Sequence, residues 1–282
     1  MSCQISIAMA YFNRKSLLLN TLKSIAETKF PKDDFEVVIV DDQSNEENRL
    51  IDIVNQFDFS INLIELHQIK RFWNRDVLPT NIAISRSLGK HIILQNPECL
   101  HIGDVISSTY SRLEAVNGYY SCKSLSVDKS LSDCISIDFA NRQQIVKEVL
   151  TKNTANHKIL WYNHPIANPR HYHFTCGMSK ENFVRIGGFD LKFMLAGSYA
   201  DNDFVRRVKL GKIEILTDSG LNDYDLMTVH QHHEKGDYVD SQPLKDGYKI
   251  FAKVLNNYVI NPNLTYDGDY IKEIRLLQGF VE

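Results

Sequence analysis

The recurrence of apolar runs that break abruptly into polar loops limits what this chain can fold into. Ile5 to Ala10 alternates and runs into Tyr11-Phe12-Asn13-Arg14. Phe35-Glu36-Val37-Val38-Ile39-Val40 stops at Asp41-Asp42-Gln43-Ser44-Asn45, and Ile92 to Leu94 stops at Gln95-Asn96-Pro97-Glu98. Between them lie helical periods. Leu18, Leu22 and Ile25 predict one helix, which Asn13 can cap, and Leu50, Ile53, Val54 and Phe57 predict a second. Ile61 to Leu66 reads as a further strand, and Thr80 to Gly89 as a helix with a glycine stop. Strands alternating with helices at this spacing give βαβ units and a mostly parallel sheet of the α/β class.

In an open α/β sheet, ligands bind in the crevice outside the carboxyl ends of the strands. Pro97 cannot donate to a strand ladder, so the strand through Leu94 ends there and hands Asn96 and Glu98 to a loop. Both then stand as oxygen donors at the lip of a cleft. Cations such as Mg²⁺ or Mn²⁺ take oxygen ligands, usually one or two carboxylates together with substrate phosphates. Asn-Pro-Glu is equally a common turn, and its neighbours decide between the two readings.

The 282 residues suffice for one large domain or two small ones. A net charge of -3 gives no electrostatic case for nucleic acid or an anionic membrane. No apolar run approaches the roughly 20 residues of a membrane span, and no secretory signal opens the chain. The five cysteines are scattered in neither a disulfide framework nor a zinc spacing, so a reducing, cytoplasmic setting is the expectation.

The second half is less regular. Val105 to Leu113 and Gln143 to Leu150 read as helices, Tyr119 to Leu125 and Ile135 to Ile137 as strands. Trp161 to Thr175 is dense in aromatic, histidine and proline residues. Ser179 should cap a helix stopped by Gly187-Gly188, and Asp201-Asn202-Asp203-Phe204 opens another that ends at Gly211. A further helix is expected beyond Gln242.

Five pieces in this order resemble the inverting glycosyltransferases of family 2, with the A-type (GT-A) nucleotide-sugar fold. They are Tyr11-x-Asn13-Arg14, Val40-Asp41-Asp42-x-Ser44, Asn81 ahead of Gly89 and a strand, Asn96-Pro97-Glu98, and Gly187-Gly188-Phe189-Asp190 followed by Asp201-Asn202-Asp203. Each alone is weak; their ordered spacing, from Ile5 to His233, carries the resemblance. It implies one GT-A-like domain over 1–235, with a nucleotide-sugar-binding half (1–104) and an acceptor or catalytic half (105–235), and then a helical extension (236–282).

The resemblance also implies roles. The family holds a divalent cation with an Asp-x-Asp motif; here Asn96 replaces the first carboxylate and Glu98 the second, which puts metal dependence in question. Asp42 resembles the aspartate that accepts a hydrogen bond from the nucleotide base, with Tyr11 or Ala10 along the base and UDP-sugars favoured. Asp41 and Asp42 also read as a helix-capping pair. Asn13, Asn81 and Asn96 belong to the same nucleotide side. Arg71 and Arg75 are candidates for the pyrophosphate, since arginine grips phosphate bidentately, or else solvated loop charges. The family's base is the aspartate of a Glu-Asp pair, which puts Ala200 in the first place and Asp201 in the second, with Asp203 as backup. His230 and His232 would share one face of a strand and complete the metal shell beside Glu98. Trp161, His164, His173, Phe189 and Asp190 are candidates for the acceptor pocket, although large aromatics also fill cores.

The expected activity is inverting transfer from a nucleoside-diphosphate sugar to a hydroxyl of a glycan, lipid-linked sugar or protein. A non-catalytic sugar-nucleotide or glycan-binding module on the same fold is the alternative, motivated by Asn96 and Ala200.

Overall fold

A computed structural model describes residues 3–66, 76–152, 156–194, 199–218 and 224–234. Arg71, Arg75 and the expected extension from 236 lie outside the described residues. The first half gives β1 (Ile5–Tyr11), α1 (Lys15–Ala26), β2 (Phe35–Asp41), β3 (Ser60–Glu65), α2 (Val77–Arg86), β4 (His91–Gln95) and β5 (Cys99–Ile102). It continues through α3 (Val105–Ala115), β6 (Tyr119–Ser121), β7 (Ser124–Val127), α4 (Lys129–Ile137), α5 (Arg142–Lys152) and β8 (Ile159–Asn163). The last described elements are β9 (Thr175–Ser179), α6 (Lys180–Ile186), α7 (Ala200–Leu210), β10 (Ile215–Leu216) and β11 (Met227–His230).

Seven strands form the main sheet in the order β10-β6-β9-β4-β1-β2-β3. All neighbours are parallel except β9, which runs antiparallel to both β4 and β6. Alternation along β1 explains the layers. Ile5, Ile7 and Met9 face α1, packing on Leu18, Leu22 and Ile25. Ala8 points to the other side, into a cluster with Leu78 and Ile82 of α2, Phe183 of α6 and Phe204 of α7. A sheet covered on both faces needs continuous apolar strands, as the burial of every residue of β2 attests. Burying each of Leu18, Leu22 and Ile25 contributes about 1.5–3 kcal/mol. A smaller sheet, β5-β11-β7-β8, packs on α4 and α5 through Leu125, Leu131, Ile135 and Val146.

Four local expectations give way. Leu50 and Ile53 are buried as predicted for a helical stripe, yet the segment forms only a 3₁₀ turn over Glu46–Asn48 followed by irregular turns. The Tyr11 hydroxyl takes the Asn48 carbonyl at 2.6 Å, and Arg49 leaves extended, so the turn cannot propagate. Asn13 does not cap α1. It sits in the left-handed region and receives the Asn45 amide at 2.8 Å, while Arg14 occupies the cap position. Ile135 to Ile137 ends a helix, because Asp128 caps α4 at the Leu131 amide and Leu131 and Ile135 share its buried face. Tyr119 to Leu125 divides into β6 and β7, which belong to different sheets. Among the described residues no helix is long and apolar enough to cross a membrane.

Candidate active site

The carboxyl ends of β1, β2 and β4 come level, with Tyr11 opposite Asp41 and Ala8 opposite Leu94. Beyond them opens a cleft lined among others by Ala10, Tyr11, Asp42, Asn96, Glu98 and His173. Asp42 is pinned by its own amide, which donates to the Tyr11 carbonyl at 2.8 Å. Asp41 is buried, and its Oδ1 accepts the Ser44 amide at 2.9 Å, holding the turn that follows β2. Ala10 and Tyr11 line the cleft, but the Tyr11 hydroxyl points away to Asn48.

The turn after β4 is built by Asn96, whose carbonyl accepts the Cys99 amide at 3.0 Å across Pro97. It delivers Glu98 to the cleft floor with only 1% of its surface exposed. β11 lies antiparallel to β5, placing His230 opposite Cys99. Glu98 Oε1 thereby meets His230 Nε2 at 3.1 Å, His233 Nε2 at 3.4 Å and Arg14 Nη1 at 2.8 Å. Burial would raise the Glu98 carboxyl, but hydrogen bonds from His230 and His233 and the nearby positive charge of His230 and Arg14 hold it well below the usual range. Glu98 Oε2 is buried with no partner among the described residues. One ligand atom from each of Glu98, His230 and His233 lies within 4.8 Å of the others, so the set suits a divalent cation that accepts imidazole with carboxylate.

His232 is not part of this group. β11 ends at His230, so the strand face expected to carry both histidines does not continue. The Gln231 amide and side chain both donate to the Glu98 carbonyl, at 3.0 and 3.1 Å, turning the chain there. The His232 amide then donates to Ser132, and its ring lies 3.6 Å from the exposed Glu234 carboxylate. His233 comes back to Glu98 instead.

The opposite wall ends at His173. Its Nδ1 donates to Asp201 Oδ1 at the start of α7, and its Nε2 lies 3.7 Å from Asp76. Burial alone would make this imidazole harder to protonate; the Asp201 charge and hydrogen bond, helped by Asp76, push it up to about 10. His173 is thus an imidazolium at neutral pH, and the Asp201 side chain beside it remains about one-third exposed, at 32%. Asp203 has no comparable access. It is 1% exposed, and its two oxygens are each taken up by an arginine, Arg207 Nε at 2.7 Å and Arg206 Nη2 at 2.8 Å.

The remaining candidates make structural contacts. Asn81 is fully buried, and its amide exchanges two 2.8 Å hydrogen bonds with the Phe189 backbone, clamping α2 to the glycine turn. Phe189 stacks on Phe204 at 4.5 Å and carries the edge of His173. Asp190 accepts the Lys192 amide at 2.9 Å and caps a short turn. Trp161 packs against the smaller sheet's core and on His164, whose Nδ1 accepts the Ile166 and Ala167 amides. The sequence points to no role for Arg14 or Asp76, and to His233 only as the third of the neighbouring histidines His230, His232 and His233. His233 was visible in the histidine cluster, and Arg14 in the first of the five motifs.

Residues 6–127 match the family model described as glycosyl transferase family 2. A curated relative, poly(ribitol-phosphate) beta-N-acetylglucosaminyltransferase TarP of Staphylococcus aureus, is 23% identical over 99 residues, 35% of this chain. That alignment spans only 29% of the relative's own length. Among solved structures, S. aureus TarS 1–349 in complex with UDP-GlcNAc superposes with a TM-score of 0.62 at 15% identity, over 98% of this chain and 71% of that one. The mannosyltransferase PcManGT of Pyrobaculum calidifontis, in complex with GDP-Man and Mn²⁺, gives 0.57 at 18% identity, over 93% and 67%. These likenesses establish the GT-A fold. Over residues 6–127 the sequence matches family 2 glycosyl transferases, and over nearly its whole length the chain shares the fold of these solved structures.

Proposed function

We propose that the protein transfers a sugar, with inversion, from a nucleoside-diphosphate donor, UDP-sugar in the first instance, to an acceptor hydroxyl. The observation that carries this reading is that Glu98 and His173 line one cleft, the first beside the imidazoles of His230 and His233 and the second paired with Asp201. Relatives of the same fold bind UDP-GlcNAc and GDP-Man, which supports a nucleotide sugar as donor.

Asp42 and the cleft wall at Ala10 and Tyr11 take the base, and Asn96 the ribose. Glu98, His230 and His233 hold a divalent cation, Mn²⁺ or Mg²⁺, which when bound neutralises charge growing on the departing diphosphate. Asp201 accepts the proton of the acceptor hydroxyl as that oxygen attacks the anomeric carbon. The His173 imidazolium, which lines the cleft, holds the Asp201 carboxylate beside it. The acceptor is a glycan, a lipid-linked sugar or a protein hydroxyl, and Asp190, Phe189 and the Trp161–His164 loop frame its approach.

Calorimetric titration with UDP, GDP and dTDP, with and without Mn²⁺, tests the donor side. Release of nucleoside diphosphate from UDP-sugars in the presence of hydroxyl acceptors, with the product anomer read by NMR, tests transfer. Selective binding without turnover of any donor would favour the non-catalytic module, to which Asn96 and Ala200 point.

A further inference from the structure

Arg14 stands where two charge requirements of the proposed site collide. Its Nη1 lies 2.8 Å from Glu98 Oε1, the same oxygen that faces His230 and His233. The guanidinium therefore pairs with the carboxylate oxygen that lies nearest both imidazoles, the one a cation held together with them would take. The local charge is lean: with a neutral Asn96 in the turn, Glu98 is the one carboxylate of the three-ligand group, and Arg14 cancels it. A dication arriving at Oε1 meets a fixed positive charge at contact distance, an unfavourable arrangement even at the effective dielectric of a protein surface.

Arg14 also has somewhere to go. It lines the cleft, and its side chain is one-third exposed at 33%, whereas Glu98 is closed in at 2%. Among the described residues lining the cleft, Arg14 is the one with a permanent positive charge. Its backbone is anchored at the start of α1, its amide donating to the Tyr11 hydroxyl at 3.2 Å and its carbonyl accepting the Leu18 amide at 2.9 Å. Only the long side chain is left to move, and a guanidinium pairs with a phosphate as readily as with a carboxylate.

Resting on the donor-site reading above, we infer that Arg14 is a resident counter-ion that competes with the divalent cation for Glu98 Oε1. It transfers to the diphosphate when a nucleotide enters. One side chain then couples cation and donor: the nucleotide draws Arg14 off Glu98, and the vacated oxygen takes the metal. By linkage, the factor by which the nucleotide strengthens metal binding equals the factor by which metal strengthens nucleotide binding.

The test counts free Mn²⁺ by its electron paramagnetic resonance signal, titrating the nucleotide-free protein as wild type, Arg14→Met and Arg14→Lys. Removing the competing charge is expected to tighten Mn²⁺ binding about tenfold in Arg14→Met, with Arg14→Lys remaining close to wild type. Addition of UDP should strengthen Mn²⁺ binding in wild type by a larger factor than in Arg14→Met. Unchanged or weaker Mn²⁺ binding in Arg14→Met, in protein whose thermal midpoint matches wild type, overturns the inference; so does an absence of Mn²⁺ binding in all three forms. Should Arg14→Met fail to fold, an Arg14→Lys protein that binds Mn²⁺ more tightly than wild type would likewise overturn it, since charge is retained. UDP binding measured by calorimetry without metal separates failure of this coupling from failure of the donor-site reading.

Discussion

His173, on the loop before β9, donates through Nδ1 to Asp201 in the first turn of α7, joining the cleft wall to the candidate base in one ion pair. The direction of its pKa shift makes the pair a pH-dependent contribution to folding. The folded-state value is raised from 6.5 to about 10, so the protonated imidazole stabilises the fold fully below pH 6.5 and progressively less as pH rises toward 10. The span is on the order of a few kcal/mol. Urea midpoints measured from pH 6 to 10 should fall in wild type and stay comparatively flat in His173→Gln; equal slopes would remove the ion pair from the account.

Asp201 and Asp203 are two residues apart on one helix, and their substitutions should fail differently. Asp201→Asn is expected to keep UDP affinity and thermal midpoint while lowering turnover by roughly 10²–10⁴, the usual worth of a positioned base. Asp203→Asn leaves the two arginines without their buried partner and should cost about 3–5 kcal/mol of stability. Thermal melts alongside a donor-turnover assay distinguish the two, and a stable but inactive Asp203→Asn would reverse the assignment.

For the histidines, the contrast is between neighbours. His233→Ala should weaken Mn²⁺ binding about tenfold or more, equivalent to ~1.4 kcal/mol, whereas His232→Ala should leave it unchanged. Glu98→Gln should abolish it. Weakened Mn²⁺ binding in His232→Ala with His233→Ala unchanged would show that the strand continues past His230 in solution.

Asn81 offers a test of framework against ligand. Asn81→Ala strands the buried amide and carbonyl of Phe189, a loss of about 2–4 kcal/mol. The expected signature is a lower denaturation midpoint with UDP affinity unaltered in the protein that remains folded. A large loss of UDP affinity at unchanged stability would give Asn81 a direct role in the donor site.

What could be read from the sequence follows the range of the interactions involved. Strands buried on both faces announce themselves through continuous apolar runs, and β1, β2 and β4 were legible for that reason. The caps at Ser179 and the glycine stop at Gly187 are local and were equally legible. The helix expected across Leu50 to Phe57 failed because a distant hydroxyl, that of Tyr11, takes the carbonyl that would have propagated it. Asn81 stands out in the sequence as a nucleotide-side candidate, but nothing local reveals that its partner is the backbone of Phe189. His233 could not be preferred over His232 without knowing that Gln231 turns the chain back onto Glu98. Site geometry of this kind resides in tertiary hydrogen bonds that no periodicity encodes.

The β5–β11 pairing brings His230 to Glu98 from beyond the segment that matches the family model, residues 6–127. A fragment ending near 127 would therefore carry the donor-side carboxylates without either imidazole of the cation group. Closure of that pairing joins distant parts of the chain, a contact whose loop-closure entropy is offset only by later packing. Cation affinity at the proposed site would thus report completed folding: a ligand that binds only the closed arrangement adds its own free energy to that closure. On the proposed roles, the cation group would become complete only when β11 has joined the smaller sheet.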